Sequence, residues 1–342
     1  MIDEKTKAYP RKLLVISTDN LLFSKDSDVR RRQEAYAKDW DEVHIVVFGK
    51  KDKKETVIGH NIWIYPTQNR FRIFRPFKAL SIARFIAERR NVRNVSCQDP
   101  FETGFVGMQL KRKLKDIYLE YQCHTDPGSP YFIKKSILNI FRMILMKINI
   151  PYADHMRVVS NKVRQYFVSL GIKEDIIEVR PIKIDEDEIR NAPITINLKD
   201  KYPDFRKIIL MASRITEEKN ISLAISAMKI LIDNGNRDIG LIIVGDGRMK
   251  EKLITMCHKL NIDKQVIFLP WANKTELYSM YKTADVFLNT SYFEGYGMSM
   301  VEAVAANLRV VSTDVGVARD IGATITSFDK GDLSKILSDI LK

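Results

Sequence analysis

Two glutamates flank a short glycine-bearing loop in the second half of the chain. The loop is Glu294-Gly295-Tyr296-Gly297, and Glu302 lies eight positions after Glu294. A helix is predicted to start at the end of this loop, and the unpaired N–H groups and positive dipole end of such a helix suit a phosphate. The glycines let the backbone approach a ligand closely. A carboxylate has the same sign of charge as a phosphate, so a glutamate beside a phosphate site needs a different partner. An ionised carboxylate accepts two hydroxyl hydrogen bonds, which favours a sugar diol as that partner.

Two cations follow an earlier predicted strand in the same half of the chain. The strand covers residues 207–213, Arg214 comes directly after it, and Lys219 follows five residues later. Fixed cations at the carboxyl end of a strand are well placed to bind a diphosphate. The second half therefore combines groups for a diphosphate with groups for a diol.

Strand-like and helix-like segments alternate on both sides of one interruption. In the first half we predict strands at 11–18, 43–49, 94–99, 117–124 and 156–160, and helices at 29–40, 78–90, 104–115, 136–149 and 162–171. In the second half we predict strands at 207–213, 239–247, 265–270, 285–291 and 309–316, and helices at 221–235, 249–261, 274–284, 297–307 and 332–342. This alternation predicts an α/β fold with two doubly wound, mostly parallel sheets and helices on both faces.

A polar and acidic stretch separates the two halves. Residues 183–204 contain Pro193 and Pro203 and lack the alternating pattern, so we interpret them as a linker that runs into the second domain. The predicted domains are therefore 1–182 and 183–342, which agrees with the roughly 100–200 residues typical of one domain.

The net charge of +13 is confined to the first half of the chain. Residues 1–180 hold 34 basic and 21 acidic residues, whereas residues 181–342 hold 22 of each. Such a one-sided distribution indicates an anionic partner, which is a membrane surface, a nucleic acid or an anionic glycan. Aromatic residues are not interleaved with the basic runs and no nucleic-acid-binding motif occurs, so a nucleic acid is the weaker alternative.

The composition excludes several classes of protein. The three cysteines, Cys97, Cys123 and Cys257, are far apart, which argues against a disulfide framework or a structural zinc site and fits a reducing cytoplasm. No run of 18 apolar residues occurs, so no transmembrane helix is predicted. Asp26-Ser27-Asp28 has the form of a metal-binding DxD sequence but lacks a third ligand nearby, so no metal site and no cofactor are predicted.

The ordered set of motifs resembles the family 4 glycosyltransferases. The matching segments of the second half are SRITEEKN, VGDG, FLPW, TADVFLNTSYFEGYGMSMVEAVAAN and STDVG, and those of the first half are CQDPFETGFVG, YQCHTDPGSPY and ADHMRVVSNKV. Glu294 and Glu302, with seven residues between them, match the glutamate pair typical of the family. The resemblance implies the GT-B fold, in which two Rossmann-like domains face each other across a cleft. The first domain would bind the acceptor and the second the sugar nucleotide.

The resemblance also implies roles for individual residues. Arg214 and Lys219 would hold the diphosphate of a sugar nucleotide, Glu302 the ribose hydroxyls, and Glu294 the donor sugar. His124 would face the donor sugar across the cleft, although a purely structural histidine is the alternative. The remaining implied donor contacts are Gly245, Pro270, Trp271, Gly295, Gly297, Met298 and Ser299, and Gly245 could instead serve only a turn. Ser213, Asn220 and Pro270 occupy positions where relatives often have glycine, and the loop 20–27 lacks the adjacent glycines common in the family.

The implied activity is transfer of a sugar from a nucleotide-sugar to a glycan or lipid-linked acceptor, with retention at the anomeric carbon and without a metal. We expect a role in cell-envelope polysaccharide or glycolipid synthesis, in a cytoplasmic protein that associates peripherally with the inner face of the membrane. A sugar-nucleotide epimerase on the same fold is the main alternative, and a non-enzymatic basic protein that binds nucleic acid or an anionic surface is a weaker one. The helices at 78–90 and 136–149 mix apolar and basic residues, which fits either docking on anionic lipid or burial of their apolar faces in the core.

Overall fold

The computed structural model describes residues 11–25, 27–49, 52–134 and 136–342. The chain divides into two compact units. One comprises residues up to Val159 together with Val163–Arg180, and the other comprises Ser160–Lys162 and Pro181–Lys342.

The first unit is built on a sheet of eight strands over its described residues, in the order β3-β4-β2-β1-β5-β6-β7-β8. The strands are β1 (Lys12–Ser17), β2 (Glu42–Val47), β3 (Thr56–Ile58), β4 (Ile62–Pro66), β5 (Asn94–Cys97), β6 (Tyr118–Cys123), β7 (His155–Val158) and β8 (Ile177–Val179). The helices are α1 (Asp28–Ala37), α2 (Arg75–Arg89), α3 (Glu102–Lys113), α4 (Pro130–Lys134), α5 (Ile137–Asn149) and α6 (Asn161–Ser169). The β3–β4 pair is antiparallel and the other pairs of described strands are parallel.

The second unit carries a parallel sheet of six described strands in the order β11-β10-β9-β12-β13-β14. The strands are β9 (Lys207–Ala212), β10 (Ile239–Val244), β11 (Val266–Leu269), β12 (Val286–Asn289), β13 (Val310–Thr313) and β14 (Thr324–Thr326). The helices are α7 (Glu186–Asn191), α8 (Leu198–Lys201), α9 (Ile221–Asp233), α10 (Lys250–Leu260), α11 (Lys274–Thr283), α12 (Met298–Ala305) and α13 (Lys330–Leu341). Alternation of strands and helices thus gives two doubly wound α/β units, as the sequence predicts.

Both faces of the second sheet are buried. Alternate residues of β9 enter two different hydrophobic clusters: Ile209 and Met211 pack with residues of α9, α10 and α13, whereas Ile208 and Leu210 pack with residues of α11 and α12. A strand that is covered on both faces needs a continuous apolar sequence, which β9 and β10 have. This packing fixes the carboxyl ends of the strands, where the site residues lie.

The structure differs from the prediction at residues 183–204. This stretch forms α7 and α8 rather than an unstructured linker, and its Ile189 and Leu198 are buried in the core of the second unit. Ile196 is anchored as well, since its N–H donates to Ser279 Oγ at 2.8 Å and its carbonyl accepts from the same hydroxyl at 2.9 Å. The pattern is missed because each helix spans two turns or fewer, too short for a visible 3.6-residue period. The strands β3, β8 and β14 are missed because three residues are too few to show the two-residue period of a strand. The strand β4 and the short helix α4 are missed as well.

Candidate active site

The predicted cations and glutamates follow two neighbouring strands of the second sheet. Strand β9 pairs with β10 on one side and β12 on the other, with Ile209 opposite Val286. The order of strands therefore reverses between β9 and β12, and ligands of doubly wound sheets bind beside the carboxyl ends of strands at such a point. Arg214 and Lys219 follow β9, and Glu294 follows β12, so the topology brings them to one place.

Lys219 and Glu294 form a mostly buried ion pair. Lys219 Nζ lies 2.6 Å from Glu294 Oε1, and the two side chains are 12% and 14% exposed. Ser291 Oγ lies 2.7 Å from the same carboxylate oxygen and 2.7 Å from Asn289 Oδ1, and it can donate its one proton to either. A pair held this way is costly to break from one side, because the remaining charge would stay poorly solvated.

The loop that carries Lys219 is held in place by a threonine that follows β12. Asn220 has a left-handed backbone with φ 46°, which asparagine tolerates better than most residues, so it can stand where relatives often have glycine. Thr290 Oγ1 lies 3.0 Å from the carbonyl oxygens of both Lys219 and Asn220 and can donate to either. Strand β12 thus continues directly into the residue that holds the lysine loop in place.

Arg214 is the more exposed of the two cations. Its side chain is 64% exposed and lies 3.6 Å from Glu218, which is largely buried. An exposed guanidinium with one long contact can turn toward an anionic ligand with little loss of existing interactions.

The start of α12 is open for an anion. Gly297 is the N-cap residue with φ 103°, and no side chain caps this helix. L side chains rarely adopt a φ of 103°, so this left-handed turn favours glycine whatever the space around it. The backbone N–H groups of Met298 and Ser299 are therefore positioned, together with the helix dipole, to meet a phosphate.

Glu302 is held by a tyrosine that the sequence analysis does not identify. The hydroxyl of Tyr281, on α11, donates to Glu302 Oε2 at 3.2 Å. Burial raises the pKa of Glu302 above its usual value, and the hydrogen bond from Tyr281 partly opposes that effect. Tyr281 itself is fully buried. It therefore orients the carboxylate while the second oxygen can accept from a ligand.

These residues surround one cavity of about 500 Å³ in the second unit, a size suited to a small ligand. The lining residues are Ala212, Arg214, Val244, Trp271, Ala272, Leu277, Glu294, Tyr296, Gly297, Met298, Ser299 and Glu302. Seven of the predicted site residues are among them. Lys219 does not line the cavity but forms an ion pair with Glu294, which does.

Three predicted donor contacts are not among the residues that line this cavity: Gly245, Pro270 and Gly295. Gly245 has φ 137°, and a Cβ there would collide with the Ser213 carbonyl. Its glycine is thus required for close approach of the loops that follow β9 and β10, which is the turn alternative of the sequence analysis.

His124 belongs to the first unit and is the last member of a hydrogen-bonded row of polar side chains on its sheet. Gln122 Nε2 donates to Ser96 Oγ at 2.8 Å and lies 3.2 Å from Glu120 Oε1, so Gln122 Oε1 faces His124 Nε2 at 3.0 Å. This orientation places the proton on Nε2 and leaves Nδ1 as an acceptor. Part of the ring is exposed, but burial of the remainder and then the charge of Arg157 lower the pKa of His124 to about 4. The imidazole is therefore neutral near pH 7.

No cluster of three or more potential metal ligands occurs within the part of the chain that the structure describes. Asp26 of the DxD-like sequence lies outside the described residues, as does the side chain of Asp28.

Sequence reasoning misses the residues that support the site from other elements. Tyr281 lies 21 positions from Glu302, and only the packing of α11 beside α12 brings the two together. Leu277, Val244 and Ala212 line the cavity as ordinary apolar residues of their elements. Ser291 is different, because a hydroxyl two residues after β12 and three residues before Glu294 is a local signal that the sequence contains.

Two family models match the chain, one to each half. The model "Glycosyltransferase Family 4" matches residues 32–188, and the model "Glycosyl transferases group 1" matches residues 197–324. Together they span most of the chain. The chain belongs to glycosyltransferase family 4.

The names of two curated relatives of this family 4 chain contain the name of a lipid. It is 26% identical over 286 residues to the alpha-monoglucosyldiacylglycerol synthase of Streptococcus pneumoniae, covering 74% of this chain and 64% of that protein. It is 27% identical over 188 residues to an N-acetylgalactosaminyltransferase of Campylobacter jejuni whose name gives a diphospho-undecaprenol substrate, covering 54% and 48%. It is also 29% identical to an uncharacterised glycosyltransferase of Methanocaldococcus jannaschii, covering 55% and 42%. The chain thus spans between 42% and 64% of the length of these relatives.

Solved structures confirm the GT-B fold predicted for this family 4 chain. Sucrose-phosphate synthase from Thermosynechococcus elongatus has a TM-score of 0.73 at 16% identity, covering 97% of this chain and 90% of that one. HepE of Anabaena, solved in complex with UDP-glucose, has a TM-score of 0.68 at 16% identity, covering 97% and 90%. Identities this low establish the fold and not the substrate.

Proposed function

We propose that this protein transfers a sugar from a nucleoside diphosphate sugar to a hydroxyl of an acceptor, with retention at the anomeric carbon and without a bound metal. The observation that carries the proposal is the convergence of Arg214, the Lys219–Glu294 pair, Glu302 and the uncapped start of α12 on one cavity. This set supplies cations for a pyrophosphate and carboxylates for hydroxyl groups.

Each part of the donor has a counterpart in the cavity. Glu302, oriented by Tyr281, would accept from the ribose hydroxyls, and Trp271 would lie beside the base. The N–H groups at the start of α12 and Arg214 would bind the phosphates. Glu294 would accept from a hydroxyl of the donor sugar, and Lys219 would then meet the phosphate while still neutralising that carboxylate.

The proposed chemical step needs no protein base. The bond between the anomeric carbon and the phosphate oxygen breaks with its electron pair remaining on oxygen, and the acceptor oxygen bonds to the same face of that carbon. The departing phosphate oxygen takes the acceptor's hydroxyl proton. The cations and the α12 N–H groups stabilise the negative charge that develops on the nucleoside diphosphate, which is the role a metal would otherwise have. His124, with Nδ1 as an acceptor, is the proposed contact for a hydroxyl of the donor sugar.

A glycan or lipid-linked acceptor in envelope polysaccharide or glycolipid synthesis is the acceptor class we propose. The relatives from Streptococcus pneumoniae and Campylobacter jejuni support it, since their names specify a diacylglycerol glycolipid and a diphospho-undecaprenol. The basic excess of the first half also favours an acceptor at an anionic surface.

Titration calorimetry with UDP-, GDP- and ADP-sugars tests the donor site. We expect one of them to bind, and we expect Glu302→Gln to weaken it by about tenfold, because a neutral amide accepts hydroxyl hydrogen bonds less strongly than a carboxylate. Glu251→Gln, an exposed glutamate on α10, is the matched control and should bind normally. No binding of any activated sugar would refute the proposal.

Transfer is then followed by NMR with the donor that binds. We expect the α or β configuration of the donor to persist in the product and EDTA to leave the rate unchanged. An incubation without acceptor shows whether the donor is instead epimerised or hydrolysed. An inverted product or loss of rate in EDTA would contradict the corresponding part of the mechanism.

A further inference from the structure

Helix α5 presents most of its large apolar side chains to solvent, while Asn139 and Asn149 are buried against the protein together with Met146. Six large apolar residues are between 46% and 75% exposed, and we call them the α5 face: Ile137, Leu138, Ile140, Phe141, Ile144 and Ile148. Ile137, Phe141, Ile144 and Ile148 follow the 4-3-4 spacing of one helical stripe. In a helix of a water-soluble domain, this stripe would normally be buried.

The orientation of α5 is fixed by polar contacts on the opposite side. Asn149 Nδ2 lies 2.9 Å from the carbonyl oxygens of Pro100 and Phe101, and Asn139 Nδ2 donates to the Phe132 carbonyl at 2.7 Å. Arg142 Nε donates to Glu102, on α3, at 2.8 Å. Asn139, Arg142 and Asn149 are spaced to lie on one stripe about opposite the α5 face. Rotating the helix to bury its apolar side would break all of these bonds.

A second exposed apolar segment lies on a neighbouring helix. Phe71, Ile73, Phe74 and Phe77, just before and within α2, are between 55% and 73% exposed. The ring of Phe77 packs edge-on against Phe105 of α3, with centroids 5.8 Å apart. Helix α3 contacts both α2 and α5, so it connects the two exposed segments.

Both segments are surrounded by positive charge. Residues 61–87 and 127–150 contain no acidic residue. Arg72, Lys78, Lys134 and Lys147 are exposed among the apolar side chains, and long basic side chains can reach past an apolar contact to an anionic layer. The combination of exposed aliphatic and aromatic groups with basic ones complements an anionic lipid surface.

We infer that the α5 face, together with the segment 71–77, docks on the surface of an anionic lipid bilayer. The helix lies in the interface: its 13 residues extend about 20 Å, too short to cross the hydrocarbon layer. Within the described residues, no helix is long and apolar enough to span a membrane. A second copy of the chain is a poorer occupant because it would bring the same positive charges together. A nucleic acid is poorer as well, since isoleucine and leucine do not stack on bases.

Co-sedimentation with vesicles tests this inference. We expect the full chain to bind vesicles of phosphatidylglycerol and phosphatidylcholine at low salt, to bind more weakly as salt rises, and to bind little to phosphatidylcholine alone. The double variant Phe141→Gln/Ile144→Gln should lower the partition coefficient at least about tenfold, because two large apolar groups are lost from the contact. Circular dichroism should show an unchanged fold, since both side chains are exposed.

The control variant Val57→Gln/Ile194→Gln removes two apolar groups that are each 58% exposed and lie elsewhere. We expect it to bind vesicles like the wild type. Failure of the wild type to bind anionic vesicles at low salt would overturn the inference, and so would equal losses in both double variants. Sedimentation equilibrium adds a third test. If the wild type does not bind vesicles but forms a dimer, and if Phe141→Gln/Ile144→Gln converts that dimer to a monomer, the α5 face is a self-association surface instead. None of these measurements needs sugar transfer, so their failure is distinguishable from failure of the proposed function.

Discussion

The Lys219–Glu294 ion pair predicts that stability and activity can be separated by mutation. Lys219→Met keeps the aliphatic volume but leaves Glu294, which is 14% exposed, without its cation. Removing one partner of a buried pair costs about 3–5 kcal/mol, and we expect about 3 kcal/mol here because Ser291 can still donate to the carboxylate. Adding Glu294→Gln removes the unpaired charge and should restore most of that stability.

Activity should not recover together with stability. The double variant has neither the phosphate cation nor the carboxylate, so kcat should fall at least about 100-fold, as it does when one stabilising group is lost from a transition state. The double variant is therefore expected to be stable and inactive, whereas Lys219→Met alone is both unstable and inactive.

Urea unfolding followed by circular dichroism gives the free energies for a double-mutant cycle, and transfer at saturating donor gives kcat. The exposed pair Lys229–Asp233 on α9 is the matched control, and its cycle should give less than about 0.5 kcal/mol of coupling. A coupling at Lys219–Glu294 as small as this would refute the reasoning on stability. A near-native rate for Lys219→Ala at saturating donor would refute the role of the lysine.

Three further predictions concern single side chains. Tyr281→Phe should raise the donor KM about 3–10-fold with a small effect on kcat, because Glu302 loses one orienting hydrogen bond worth about 1 kcal/mol. Burial, and then the charge of Glu102, raise the pKa of Asp99 to about 6, so Asp99→Asn should stabilise the protein by about 2 kcal/mol above pH 6. The benefit should vanish below about pH 4, where the wild-type carboxyl is protonated in both the folded and unfolded states. Since the pKa of His124 is about 4, kcat/KM should show no histidine titration between about pH 5 and 8, whereas His124→Ala should lower it about tenfold.

Each of these predictions has a contradicting result. Equal donor KM values for Tyr281→Phe and the control Tyr202→Phe would remove the orienting role of Tyr281. A stability difference for Asp99→Asn that is independent of pH from 3 to 8 would show that the carboxyl ionises normally. An unchanged rate for His124→Ala would support the purely structural histidine.

The alternation of apolar strands and helices predicts most of the fold. Buried parallel strands such as β9 and β10 need uninterrupted apolar runs, and these are visible in the sequence. The short elements β3, β14, α7 and α8 are not, because a three-residue strand or a four- to six-residue helix has too few positions to show a period. Their existence depends on contacts such as Ile189 and Leu198 in the core of the second unit.

The site residues likewise divide into those that the sequence predicts and those that it does not. Arg214, Glu294, Gly297 and Glu302 carry local signals: Arg214 follows a strand, Gly297 precedes a helix, and the two glutamates stand eight positions apart around that glycine. Tyr281 carries none, because its hydroxyl becomes functional only where α11 packs beside α12. Gly245 has a visible signal, and the structure shows a local reason for the glycine in the nearby Ser213 carbonyl, while its contact with the donor stays a prediction.

Helix α5 shows most clearly what the sequence determines and what it leaves open. Its residues alone determine that it is a strongly amphipathic helix among basic residues. They do not determine which side faces the protein, because an apolar stripe is stable both in a core and in a lipid interface. The tertiary structure decides this through Arg142 and Asn149, whose hydrogen bonds reach groups 40 or more residues away, and through Asn139, which bonds to the nearby Phe132 carbonyl. A hydrogen bond to a buried carbonyl depends on where the fold places that carbonyl, and a linear pattern does not contain that information.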